Sequence, residues 1–216
     1  LSPYNSLNFI GQFVTILSVN KTRNLMGALR SFFIGMGAFC AHFSVSGDVM
    51  NRKVKFLVRA AVIAAMYVVL TYFQNILFPN STSMAIQFRA SEALCVLAFF
   101  TPAAIPGLAI GCLLFNVSTA ALPLDFLIGT AATLLATSGI WLTRKVTIKG
   151  YPLPGLSMPA IFNGLLVGWE LDFIMGGGFW LNALYVAIGE LAVLLTLGTG
   201  LYYAIKGRHL ERKLFS

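Results

Sequence analysis

Charge is what this sequence has least of. Lys, Arg, Asp and Glu make up 10% of its 216 residues, against roughly 25% in an ordinary soluble domain. Acids are the scarcer sign, with 7 Asp and Glu against 15 Lys and Arg. Cysteine is scarce as well. Cys40, Cys95 and Cys112 stand singly in apolar stretches without C-x-x-C spacing, and read as inert buried thiols. The two histidines, His42 and His209, have neither H-E-x-x-H nor carboxylate spacing around them, so a metal centre has no support and no cofactor is expected. There is no G-x-x-x-x-G-K-[ST] phosphate loop, and hence no sign that the chain energises itself with ATP. The absence of G-x-S-x-G argues against an intramembrane hydrolase, and the chain is not expected to be an enzyme. No internal repeat or low-complexity tract is visible.

Apolar residues are what is abundant: 58% of the chain, with a mean hydropathy of +0.83. A hydrocarbon core about 30 Å thick takes roughly 20 apolar residues of helix to cross. Apolar runs fall at 57–78, 84–100, 103–121, 123–143, 153–173 and 179–205, separated by breakers such as 79–83, Thr101-Pro102, Gly150-Tyr151-Pro152 and Gly176-Gly177-Gly178. Lipid offers the backbone no hydrogen-bond partners, which favours helices that satisfy themselves. The expected fold is an all-α polytopic membrane protein, a six-helix transmembrane bundle in one domain spanning 50–216.

The net charge of +8 does not point to nucleic acid, because no arginine-rich arm or aromatic-interleaved basic run accompanies it. The bases cluster instead at Arg52, Lys53, Lys55 and Arg59, at Arg144, Lys145 and Lys149, and at Lys206, Arg208, Arg212 and Lys213. With six crossings those three clusters share one face of the membrane, which the positive-inside rule makes cytoplasmic. A multi-pass plasma-membrane protein whose core has both termini in the cytoplasm follows as an expectation. Trp169 and Trp180 then fall near the outer ends of their helices, with Trp141, Tyr202 and Tyr203 near the inner ends. Residues 1–49 fit this scheme poorly. The apolar stretch 31–46 is short for a span, and a crossing there would put Arg52–Arg59 outside. A signal peptide is one reading; a dispensable extension or misassigned upstream start is the expectation adopted.

Glu92, Asp125, Glu170, Asp172 and Glu190, with Arg89, lie inside or at the edges of apolar runs, where an ionisable group is by default a functional hypothesis. Arg89 and Glu92, three apart, share a face of the second helix and can pair, either as a structural ion pair or with one of them meeting a ligand. Asn163 and Glu170 share a face of the fifth helix. Asn182 and Glu190 lie within roughly 80° of one another around the sixth. With Asp125, these acids gather in the outer half of the bundle, which implies a polar cavity open to the exterior. Asp125 and Asp172 also suit helix-end capping; Glu190 does not. A proton relay through Glu170 and Glu190 is physically open. Ala60/Ala64 and Ala61/Ala65 form overlapping small-xxx-small pairs that admit a close helix neighbour, in another subunit or in the same one. Gly107/Gly111 repeats the pattern and reads as internal packing.

Several strings carry a resemblance to a known family: 50–70, Ile86-Gln87-Phe88-Arg89-Ala90-Ser91-Glu92-Ala93-Leu94, Phe100–Gly107, Asp125–Ala136 and Phe162–Glu170. In these the chain resembles the QueT-type substrate-binding (S) components of energy-coupling factor (ECF) transporters, which are associated with uptake of queuosine precursors. Residues 1–49 have no counterpart. The resemblance implies a six-helix bundle that captures queuine or another 7-deazaguanine precursor from outside. It implies docking through Ala60, Ala61, Ala64 and Ala65 onto a transmembrane coupling subunit served by two cytoplasmic ATPases. Substrate contacts are then expected from Arg89, Glu92, Asn163, Glu170, Asn182 and Glu190, with a flat ring stacked on Trp169, Trp180 or a phenylalanine. Alternatives are an S component for another vitamin or nucleobase, and an autonomous proton-coupled transporter.

Overall fold

The computed structural model describes residues 51–77, 89–119 and 123–207. The expectations for 1–49, Cys40, His42, the breaker 79–83, Gln87-Phe88, His209 and the terminal bases Arg208, Arg212 and Lys213 lie outside them. The described residues belong to one compact unit that begins at Val49. They form helix α1 (Arg52–Leu77), a 3-10 segment (Ala90–Phe99), then α2 (Ala104–Thr119), α3 (Pro123–Thr143), α4 (Leu153–Met175) and α5 (Phe179–Val193). A π-turn (Leu194–Gly198) joins α5 to α6 (Thr199–Gly207) without a break.

The protein is an all-α membrane bundle. Four helices are long and apolar enough to cross a bilayer: α1, α3, α4 and the continuous α5–π–α6 rod. The second and third apolar runs form shorter helices, of 10 residues in the 3-10 segment and 16 in α2. Six full-length spans are therefore not seen among the described residues. The short 3-10 segment has a physical reason for its place: every residue from Ser91 to Phe99 is buried, so protein rather than lipid surrounds it. Helix α1 begins a turn earlier than its apolar run because Arg52, Lys53 and Lys55 continue the helix; no glycine or proline interrupts it. The rod spans Phe179–Gly207, where the sixth apolar run was expected at 179–205.

Small residues set the helix spacing. A Cβ on Gly107 would sit 2.7 Å from the Ala60 carbonyl oxygen, and one on Gly111 2.9 Å from that of Ala64. Hence α1 and α2 run side by side in the same direction, with backbones in contact. Gly168 faces Ala183 as closely, its virtual Cβ 2.6 Å from the Ala183 Cα, which clamps α4 against antiparallel α5. The α4–α5 connection is Gly176, Gly177 and Gly178, with φ of 73°, 97° and 96°, a left-handed path that side chains resist. Asp172 closes it by accepting the Gly178 N–H at 2.9 Å, the capping role expected of it.

The described members of the three basic clusters gather at one end. Phe99, at the end of the 3-10 segment, packs edge-on against Tyr202 of α6 at 5.3 Å between ring centres, and would clash with any side chain at Gly155, near the start of α4. Tyr151, in the loop after Lys145 and Lys149, shares a hydrogen bond with Thr199 at 2.5 Å. The Thr101–Ala104 turn leads straight into Gly107, against Ala60 in the first half of α1. Arg144 is tethered at this end by its own Trp141, with the guanidinium 3.6 Å from the ring centre.

Replacing Gly168 with Val forces the α4 and α5 backbones apart and should cost about 1–3 kcal/mol, read as a lowered unfolding temperature in detergent. Gly200→Ala, where nothing lies within 4 Å of the new atom, should leave that temperature unchanged or slightly raised. Equal temperatures for both variants would mean that the close approach does not constrain the fold.

Candidate functional site

One stripe of α1 faces inward. Ala60, Ala64, Tyr67, Thr71 and Gln74 recur at alternating spacings of four and three and are all buried. Its first two members let α2 approach; its last three bring polar groups into the bundle. Tyr67, fully buried, donates its hydroxyl to Glu92 Oε1 at 2.7 Å. Cys95, one 3-10 turn further on, donates its thiol to Glu92 Oε2 at 3.1 Å. Gln74 accepts the Ala90 N–H at 2.6 Å. Glu92 is thus enclosed and both its oxygens are engaged, which is how a buried carboxylate becomes tolerable.

Glu190, 3% exposed, is engaged on one side only. The Asn163 amide of α4 donates to its Oε1 at 3.0 Å, a contact made possible by the tight α4–α5 packing. Its Oε2 is buried with no hydrogen-bond partner, as are Oε1 of Glu170 and Nε of Arg89. Electrostatics joins these groups: Glu190 feels Glu92 and Arg89, while Glu170 feels Asp125 and Arg89. Arg89 is the neighbour common to both.

The sequence-predicted residues therefore divide. Arg89, Glu92, Asn163 and Glu190 come together in the interior, and Glu170 adjoins them through Arg89. The expected Arg89–Glu92 partnership is an attraction through space, because Tyr67 and Cys95 hold the Glu92 oxygens. Asn182 is buried but turned to the α4–α5 turn, donating to the Gly176 carbonyl at 3.0 Å. Trp169 is 50% exposed and Trp180 77% exposed; Trp169 stacks on Phe173. Neither tryptophan is buried with the charged groups. Ala60 and Ala64 are buried, with Gly107 and Gly111 of α2 packed against them. Ala61 and Ala65 stay exposed on an adjoining face.

Sequence reasoning missed Tyr67 and Gln74, although the alternating four-and-three stripe that carries them was visible. It read Cys95 as inert, although Cys95 follows Glu92 by three and so shares its edge of a 3-10 helix. No group of three or more His, Cys, Asp or Glu suited to a metal ion occurs among the described residues.

Spanning helices wrapped around buried, incompletely paired carboxylates and a guanidinium define a multi-pass membrane protein with a charged interior. A family model described as QueT transporter matches residues 57–207. The chain belongs to the QueT transporter family. No curated protein matches it, and no solved structure does.

Tyr67→Phe strips the hydroxyl from Glu92 and leaves a buried carboxylate oxygen bare. The expected cost is about 1–3 kcal/mol of stability, measured by denaturant unfolding in detergent, and the cost should shrink in a Glu92→Met background. An equal loss in both backgrounds would disconnect Tyr67 from Glu92.

Proposed function

We propose that this protein is the membrane-embedded substrate-binding component of an ECF transporter, capturing a 7-deazaguanine queuosine precursor from outside the cell. The observation that carries this reading is the pair of buried carboxylates, Glu170 and Glu190, each with an oxygen lacking a partner in a chain of the QueT transporter family. A guanine-type edge presents N1–H and a 2-amino group, parallel donors that one carboxylate accepts. An amine on the 7-substituent gives a second carboxylate a charge-assisted bond. Arg89, Glu92, Asn163, Glu170 and Glu190 form the proposed site, while Asn182 supports it by holding the turn above Glu170.

Uptake on this reading is powered by a coupling subunit and two cytoplasmic ATPases. The coupling subunit docks on the face of α1 that carries Ala61 and Ala65, where two small side chains one turn apart admit a neighbouring helix closely. The basic end of the bundle faces the cytoplasm of the plasma membrane, in keeping with the positive-inside rule. The working domain is the unit from residue 50 onward.

Purified protein should bind queuine or 7-aminomethyl-7-deazaguanine in a calorimetric titration, with Glu170→Gln and Glu190→Gln each weakening binding by about tenfold or more. Full affinity in both variants removes the site assignment. The double variant Ala61→Leu with Ala65→Leu should bind normally yet abolish uptake by cells that express the coupling module. Uptake that persists without that module and collapses with an uncoupler would instead identify an autonomous proton-coupled carrier.

A further inference from the structure

The site reading leaves open which carboxylate meets which part of the ligand, and the hydrogen bonding decides it. Glu92 has no acceptor to spare, since Tyr67 and Cys95 occupy its two oxygens. Glu190 keeps one acceptor, Oε2, beside an oxygen already fixed by Asn163. Glu170 also keeps one, Oε1, and its neighbouring acid is Asp125. Arg89 offers an unpartnered donor, Nε, and acts on both Glu190 and Glu170. Together these three side chains offer two acceptors and one donor.

A 7-deazaguanine with an aminoalkyl group at C7 presents the complement along one side of its ring system. The 2-amino group and N1–H donate, O6 accepts, and the ammonium on the 7-substituent, adjacent to O6, donates again. A carboxylate that feels a second acid favours a cation over a neutral group, and Glu170 feels Asp125 through space. Fixing by an amide favours a directed hydrogen bond, and that exists at Glu190.

Resting on the proposed function, we infer that Glu190 Oε2 reads the N1–H/2-amino edge, that Arg89 Nε donates to O6, and that Glu170 holds the ammonium of the 7-substituent. Glu92 is a positioning residue that anchors the segment from which Arg89 reaches the site. Selectivity then has two separable parts. Glu190 rejects purines that lack the 2-amino group, because its oxygen is left unpaired. Glu170 rejects neutral 7-substituents.

The test is a titration of three ligands against the wild type and two isosteric variants of the full chain. The ligands are 7-aminomethyl-7-deazaguanine, its neutral 7-cyano analogue, and 7-aminomethyl-7-deazahypoxanthine, which lacks the 2-amino group. The wild type should favour the first over each of the others by about tenfold or more. Glu170→Gln should bring the aminomethyl and cyano guanines to within about threefold of each other while binding the cyano ligand with nearly wild-type affinity. Glu190→Gln should weaken both guanines alike and erase the preference over the hypoxanthine. The reverse assignment of effects, or a uniform loss across all three ligands in either variant, overturns the inference and leaves the proposed function standing. A wild type that binds none of the three removes both.

Discussion

The constraint on which the rest of this structure depends is the cost of a carboxylate out of water. Glu92 is 1% exposed in a segment buried on every side, and an isolated buried charge would cost more than a marginally stable fold can tolerate. The bundle answers with donors from two directions. Tyr67 reaches across from α1, and Cys95 reaches back along the same helix edge. The second donor depends on 3-10 geometry, in which residues three apart eclipse. That offers a physical reason for an unusually long 3-10 run at the centre of the bundle, since a tighter helix aligns Cys95 directly over Glu92.

Close helix packing extends this solution across the bundle. Gly107 and Gly111 draw α2 onto the Ala60/Ala64 stripe, and the same stripe one turn later carries Tyr67 to Glu92. Gly168 draws α5 onto α4, and Asn163 then reaches Glu190. In each case small side chains set a backbone distance that a polar side chain nearby exploits. The two helix pairs converge on Arg89, the guanidinium that acts on the acids of both. At Glu170 and Glu190 the geometry leaves carboxylate oxygens without donors from the protein.

Much of this was legible in the sequence, and the limits have physical causes. The ends of α3, α4 and the sixth run follow directly from Pro123, the Gly150-Tyr151-Pro152 turn and the glycine triplet, because proline and glycine act locally. The importance of Arg89, Glu92, Asn163 and Glu190 was legible because charge and amide in apolar runs are conspicuous. What was not legible is which neighbour each would take. Arg89 and Glu92 sit at a spacing that pairs on a helix surface, but Arg89 precedes the 3-10 segment in an extended conformation, and Tyr67 competes from a distant part of the chain. Ala60 and Ala61 are adjacent and identical in composition, yet only the packing of α2 separates a covered alanine from an exposed one.

That separation gives α1 two faces with different duties. Its inner stripe is committed: Ala60 and Ala64 to α2, Tyr67 and Gln74 to the 3-10 segment that follows Arg89. Its outer face, with Ala61 and Ala65 among exposed Leu57, Val69 and Phe73, makes no demand on the fold. Substitution on the outer face therefore alters what α1 can meet without disturbing what it holds, whereas substitution on the inner stripe disturbs the buried charges at once. A single rigid helix, uninterrupted by glycine or proline, thus keeps the contacts that secure the polar interior physically separate from the surface available to a neighbouring protein.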